Sequence, residues 1–373
     1  MKILSVILLV AGLSSLQHAM GGNWQVIPSG NGPKAINELH GVSAAAENDV
    51  WAVGSSTDTE RLNPVTLVEH WNGTQWSVVP SPNPSSTQNA LNAVAAVSAT
   101  DVWAVGFAST GSGLILIEHW DGTAWSVVPN PPNSSGISDL TALAVVSAND
   151  IWAVGVGTVE DELGTATLHW NGTVWSVIPS PNVTPEVDNT LAGAVAIASN
   201  DVWAVGTQQP TSLTDPTTLI LHWDGSRWTI VSDPRPEGGH LTGISAASSN
   251  DVWATGNSEF GTLAEHWNGS NWSVVPTANG GGKVPVSLYS VVALASNSVW
   301  GVGEQLACSS CGLSQTLTEQ WNGTKWSVVN SPNVGSDHNE LFAVDATPGG
   351  TLWAVGTVYR YPKQRTLIER KLP

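Results

Sequence analysis

Beyond the N-terminal 20 residues of this 373-residue chain, three histidines stand outside any repeat: His40, His240 and His338. Beside Asp139, Asp188 or Glu340, His40 could form a general acid/base pair, because imidazole titrates near neutrality and a carboxylate can orient it. Cys308 and Cys311 offer a second chemistry. Two thiols three positions apart are half a zinc site, or a disulfide within one loop in an oxidising compartment, and the disulfide is the expectation. Acids gather at Asp58, Glu60, Glu160, Asp161 and Glu162. They would suit Ca2+ but lack the ordered ligand spacing of a calcium loop, so the expectation is no metal and no cofactor. A third set is basic and aromatic: Tyr359, Arg360, Tyr361, Lys363 and Arg365 form a local patch that could contact an acidic ligand. No nucleophile elbow, phosphate loop or paired-carboxylate motif accompanies these groups.

The elements that must position them come from repetition. Asp49-Val50-Trp51-Ala52-Val53-Gly54 recurs with Trp103, Trp152, Trp203, Trp253, Trp300 and Trp353 at its centre, 47 to 53 residues apart. A second phrase, His70-Trp71-Asn72-Gly73-Thr74-Gln75-Trp76, follows each of the first six copies. Each unit reads as four short strands: a Leu-then-small-apolar run (39–44), a strand after a tight Glu47-Asn48 turn (50–54), a third strand (66–71) and a fourth (76–80). Asn72-Gly73 between the last two predicts a two-residue type I′ hairpin. Pro-rich segments end each unit. Seven such units predict an all-β, seven-bladed β-propeller of four-stranded antiparallel blades. The blades fall at 39–80, 91–129, 140–179, 191–231, 241–276, 288–329 and 341–371. The seventh unit lacks a fourth strand, and Trp24-Gln25-Val26-Ile27-Pro28 has its pattern, so 23–28 is expected to complete that blade and close the ring. Closure leaves no sheet edge exposed at a break.

The spacing, blade count and split closing blade resemble the kelch and galactose-oxidase-like propeller superfamily over residues 23–372. The Trp-Asn/Asp-Gly-x-x-Trp hairpins are similar to those of bacterial and fungal propeller lectins. The resemblance implies a propeller fold, and for the hairpins a lectin-like binding role.

Repetition also sorts the residues. The 20 Trp residues all belong to the pattern and read as packing between blades. His70, His119, His169, His222 and His266 are one repeated position and read likewise. The position after the repeated Leu behaves differently: it holds His40, Asn92, Thr141, Ala192, Thr242, Tyr289 and Phe342, while its neighbours repeat. It is expected to face the mouth of the central channel, where these side chains either bind a ligand or only fill the space. Loops between the second and third strands carry most of the length variation, and Phe107, Phe260, Tyr359 and Tyr361 fall in or beside them. Variable loops on a rigid scaffold are where binding is usually built.

Residues 1–19 have a lysine and a short apolar run, the pattern of a signal peptide, which leaves 20–373 as one domain. The expectation is therefore a secreted, periplasmic or cell-surface protein with no membrane span in the mature chain. The net charge of −18 argues against a nucleic-acid partner. The reading is a non-catalytic binding propeller, with a glycan or an extracellular protein as ligand and carbohydrate favoured. Its candidate ligand-binding residues are His40, Asn92, Thr141, Thr242, Tyr289, Phe342, Phe260, Tyr359, Arg360 and Tyr361. The rivals are a lyase or hydrolase at the channel mouth and a structural interaction ring.

Overall fold

The computed structural model describes residues 23–60, 63–109, 114–159, 162–183, 187–210, 215–236, 238–279, 286–307, 312–335, 337–360 and 363–373, with the backbone only at Leu114, Val159 and Arg360. The expected signal peptide and the Cys308–Cys311 disulfide lie outside the described residues, as do Tyr361, Glu160 and Asp161. Seven four-stranded antiparallel sheets form a ring of blades, and no described helix is long and apolar enough to cross a membrane. Blade 1 runs Ile36–Ala46, Asp49–Thr57, Val65–Trp71 and Trp76–Val78 from the axis outward. The other blades copy it, with first strands at Gln88–Ser98, Ile137–Ser147, Val187–Ala198, His240–Ser248, Val286–Ala295 and Asn339–Ala346.

The closing blade is shared between the chain ends. Gln25 and Val26 pair with Arg370 and Glu369 of the strand Lys363–Lys371, and the Ile27 amide donates to the Ile368 carbonyl. The linker that follows binds both neighbours. The Gly30 amide donates to Glu69 of blade 1, while Asn31 Oδ1 accepts the Thr366 amide of blade 7.

Indoles form the contact between blades. Trp51 is buried against Trp120 and Trp125 of blade 2, with ring centroids 5.1 and 5.5 Å away. Trp353 of blade 7 meets Trp71 and Trp76 of blade 1 in the same way. At the junction of blades 6 and 7, Trp300 meets Trp24, and Lys371 Nζ lies 4.8 Å over its ring in place of the third indole. The repeated histidines belong to this belt. Each of the five is held by the aspartate of its own blade at 2.8–2.9 Å, and His70 stacks on Trp51 at 4.1 Å.

The outer hairpins differ from expectation. Trp71 pairs directly with Trp76, so the loop has four residues, 72–75, and not two. Asn72 Oδ1 accepts the Thr74 and Gln75 amides, and Gly73 alone takes a positive φ of 93°. A side-chain acceptor does the work of a turn carbonyl. That is why Asp121 and Asp224 serve equally well in blades 2 and 4.

One repeated feature breaks the apolar pattern. Glu69, Glu118, Glu265, Glu319 and Glu369 sit at one third-strand position and are fully buried between blades. Blades 3 and 4 carry Leu168 and Leu221 there. Both carboxyl oxygens of Glu118, Glu265 and Glu369 lack a hydrogen-bond partner among the described residues. Burial pushes all three up to about 8 from an ordinary 4.5, and for Glu265 the nearby Asp233 adds to this. Between those values the native chain holds a proton that the unfolded chain has lost, so stability falls as pH rises through the window. Glu118→Leu copies blades 3 and 4. It should stabilise the ring by about 1–3 kcal/mol near pH 8 and flatten its share of that slope. Scanning calorimetry from pH 5 to 9 checks this, and a lower midpoint in the variant at pH 8 would count against it.

Candidate functional site at the channel mouth

The site is built by one backbone irregularity repeated seven times. In every first strand the pairing register slips just after the repeated leucine, between Leu39 and Gly41 in blade 1 and at the matching places elsewhere. The residue skipped is His40, Asn92, Thr141, Ala192, Thr242, Tyr289 or Phe342. A bulge leaves its extra residue unpaired and re-aims the side chain.

The glycine that ends each second-strand motif permits the bulge. At Gly303 a Cβ would lie 1.9 Å from the Ser287 carbonyl oxygen, and the other six blades show 1.8 to 2.2 Å. Two residues earlier, Gly301 stands where every other blade has alanine, and a Cβ there would meet only Leu288 side-chain atoms at 3.2 Å.

All seven bulged residues line one central cavity of about 520 Å³, walled below by small residues such as Gly41, Ala93, Gly193 and Gly243. Each is half-buried. Four of them also tie their blade to the next. His40 Nδ1 lies 3.2 Å from the Leu91 carbonyl oxygen, and Asn92 Nδ2 donates to that of Leu140 at 2.9 Å. Thr141 and Thr242 hydroxyls donate to the Leu191 and Leu288 carbonyls at 2.8 Å. Tyr289 and Phe342 instead lie side by side, with centroids 5.7 Å apart, and His40 meets the Phe342 ring edge-on at 6.1 Å.

Carboxylates flank Tyr289 and His40. The Tyr289 hydroxyl donates to Glu304 at 2.6 Å, and burial together with that bond pushes the phenol well above its ordinary range. Glu340 is driven up to about 7 by burial and by the neighbouring charges of Glu304 and Glu38. Asp139 rises to about 6 through burial, although the Leu140 amide, Asn92 and the nearby His40 pull the other way. The His40 hydrogen bond, at 3.3 Å, holds Glu38 below the usual range, and Gln364 Nε2 donates to its other oxygen at 2.6 Å.

Three of these acids, Glu38, Asp139 and Glu340, occupy the position before the repeated leucine, which reads Glu38, Ala90, Asp139, Thr190, His240, Ser287 and Glu340. That position varies like the one after it. The sequence reading took up its members only as separate acid/base candidates and passed over Glu38 and Glu304.

The other singled-out residues go elsewhere. His240 faces Thr207 at 3.2 Å, and burial lowers its pKa. His338 accepts the Ser314 amide at 3.2 Å and meets the Tyr359 ring at 6.2 Å. Asp188 accepts the Leu163 amide at 2.8 Å and makes no hydrogen bond or ion pair with His40. Asp58 pairs with Lys34 at 3.4 Å. Phe260 is 58% exposed at a turn of blade 5, and Tyr359 is half-buried in a second strand of blade 7. Among the described residues no three His, Cys, Asp or Glu side chains converge as metal ligands.

No family model matches the chain, including any for the kelch or galactose-oxidase-like superfamily. No curated protein matches it either. Solved structures do. A structure of YCF48 bound to D1 peptide shares 15% identity, with a TM-score of 0.59 over 94% of this chain and 95% of that one. YCF48 from Cyanidioschyzon merolae shares 14%, with 0.60 over 94% and 99%. The SapL1 lectin in complex with alpha methyl fucoside shares 12%, with 0.48 over 79% and 97%. At these identities the likeness is one of propeller fold.

Proposed function

We propose that the chain is a non-catalytic binding propeller, exported from the cytoplasm, that seats a carbohydrate at the loop-face mouth of its central channel. The observation that carries this reading is the ring of bulged residues. Seven repeats hold one scaffold constant and vary the bulged position that lines the cavity. An aromatic pair, Tyr289 and Phe342, beside the acceptors Glu304 and Glu340 suits a sugar ring, whose apolar face stacks while its hydroxyls donate to carboxylates. Binding is favoured over catalysis because both ring nitrogens of His40 are already engaged, by Glu38 and by the Leu91 carbonyl.

A peptide is the second reading. The same acids would accept an ammonium or guanidinium group, and one solved propeller of similar fold carries a peptide.

The test is a glycan array probed with purified residues 20–373, with calcium and again with chelator, beside an array of immobilised peptides. Saturable binding to one sugar class is expected, unchanged by the chelator. Loss on chelation would assign the loop acids to Ca2+. Binding on the peptide array alone would replace the carbohydrate reading, and a blank on both would overturn the binding function.

A further inference from the structure

The chain carries 30 acidic and 12 basic side chains, so a cation would be expected to find a counter-charge with ease. Most of the described ones have a partner. Lys34 pairs with Asp58, Arg227 with Asp224 and Arg235 with Asp233, while Arg370 and Lys371 lie over indole rings. Lys363 and Arg365 are exceptions: both are exposed, and neither makes a side-chain hydrogen bond, ion pair or ring contact among the described residues. They stand two apart on one strand, hence on the same face, where like charges repel.

Beside them opens a polar pocket of about 500 Å³ at the seam where the chain ends meet. Its walls are the linker Ser29–Ala35, which carries Lys34, and the strand start Lys363–Arg365. The Gln364 amide donates to the Ala35 carbonyl at 3.0 Å and fixes one wall against the other. The pocket is also separate from the channel cavity, with Gln364 and Glu38 joined between them by a 2.6 Å hydrogen bond. Two uncompensated cations held at the lip of a concave polar site make a receptor for negative charge.

We infer that this seam pocket is a second binding site, independent of the channel mouth, that takes an oxyanion, either a carboxylate or a phosphate group. Arg365 supplies the planar fork that matches either, and Lys363 supplies a point charge.

Titration of residues 20–373 with inorganic phosphate, and separately with glutarate, followed by amide chemical shifts at pH 7 and low salt, tests it. Saturable shifts confined to Gly30–Ala35 and Lys363–Thr366 are expected for at least one probe, and the probe that saturates identifies the source. Raising salt from 20 to 200 mM should weaken binding several-fold. The double variant Lys363→Gln/Arg365→Gln should weaken it at least tenfold, with an unchanged thermal midpoint. Lys325→Gln, which removes an exposed cation on a hairpin tip, should leave it as it was. Non-saturating shifts with both probes, shifts spread over the surface, or full binding by the double variant would overturn the site. Loss of the mouth's glycan or peptide binding would leave these shifts in place.

Discussion

A chain that begins at Asn31 is expected to lose most of its thermal stability. Without Trp24, the ring of Trp300 faces solvent on one side, and the outer edge of Lys363–Lys371 loses its strand partner. The linker bond from Gly30 to the buried Glu69 goes too, which leaves a buried carboxyl with fewer donors. Trp24→Ala alone should cost about 3–5 kcal/mol, the usual range for removing a large buried aromatic. The truncation adds the lost backbone pairing and an open sheet edge that invites association between copies. The measurement is the midpoint by circular dichroism, with light scattering for aggregation. An unchanged midpoint in the truncated chain would mean that the blades hold together without closure.

The second large effect belongs to one hydrogen atom. Gly303→Ala would drive a methyl into the Ser287 carbonyl, and the nearest atoms, Ser287 O and C and Leu288 Cα, are all backbone with nothing flexible to yield. The expected cost is about 3–5 kcal/mol, at the upper end for single substitutions. Gly301→Ala, in the same strand, restores the residue found in the other six blades and should stay within about 1 kcal/mol of the parent. The pair separates a general intolerance of side chains in this strand from the specific need for a bulge. The bulge in blade 6 aims Tyr289 at Glu304, so any Gly303→Ala protein that folds should also bind less. Denaturant midpoints for both variants decide it, and equal effects would defeat the bulge account.

Much of this was legible in the residues. The motif around Trp51 and its six copies gave the blade count, and Trp24–Pro28 matched the strand that the last blade lacks. The variation at His40, Asn92, Thr141, Ala192, Thr242, Tyr289 and Phe342 marked the positions that line the cavity. What stayed hidden has physical reasons. A bulge is a register break, and no periodicity of side chains reports one directly. The flank before the leucine backs the ring that the other flank forms: Glu38 bonds His40, Asp139 accepts from Asn92, and the charge of Glu340 bears on Tyr289. The cross-blade bonds of His40, Asn92, Thr141 and Thr242 depend on carbonyls some fifty residues away, which a single sequence cannot pair. The buried glutamates were missed because a carboxyl in an alternating strand is ordinarily read as solvent-facing.

We propose that a shared scaffold leaves binding to the side chains at the channel mouth. Ala192→Trp tests it most directly. Ala192 is the smallest of the seven bulged residues, and it ties no blade to the next, so an indole there fills the cavity and removes no existing bond. The variant should keep its thermal midpoint and lose the saturable array binding of the parent chain. A folded Ala192→Trp protein that binds as the parent does would place the ligand elsewhere on the ring and contradict the claim.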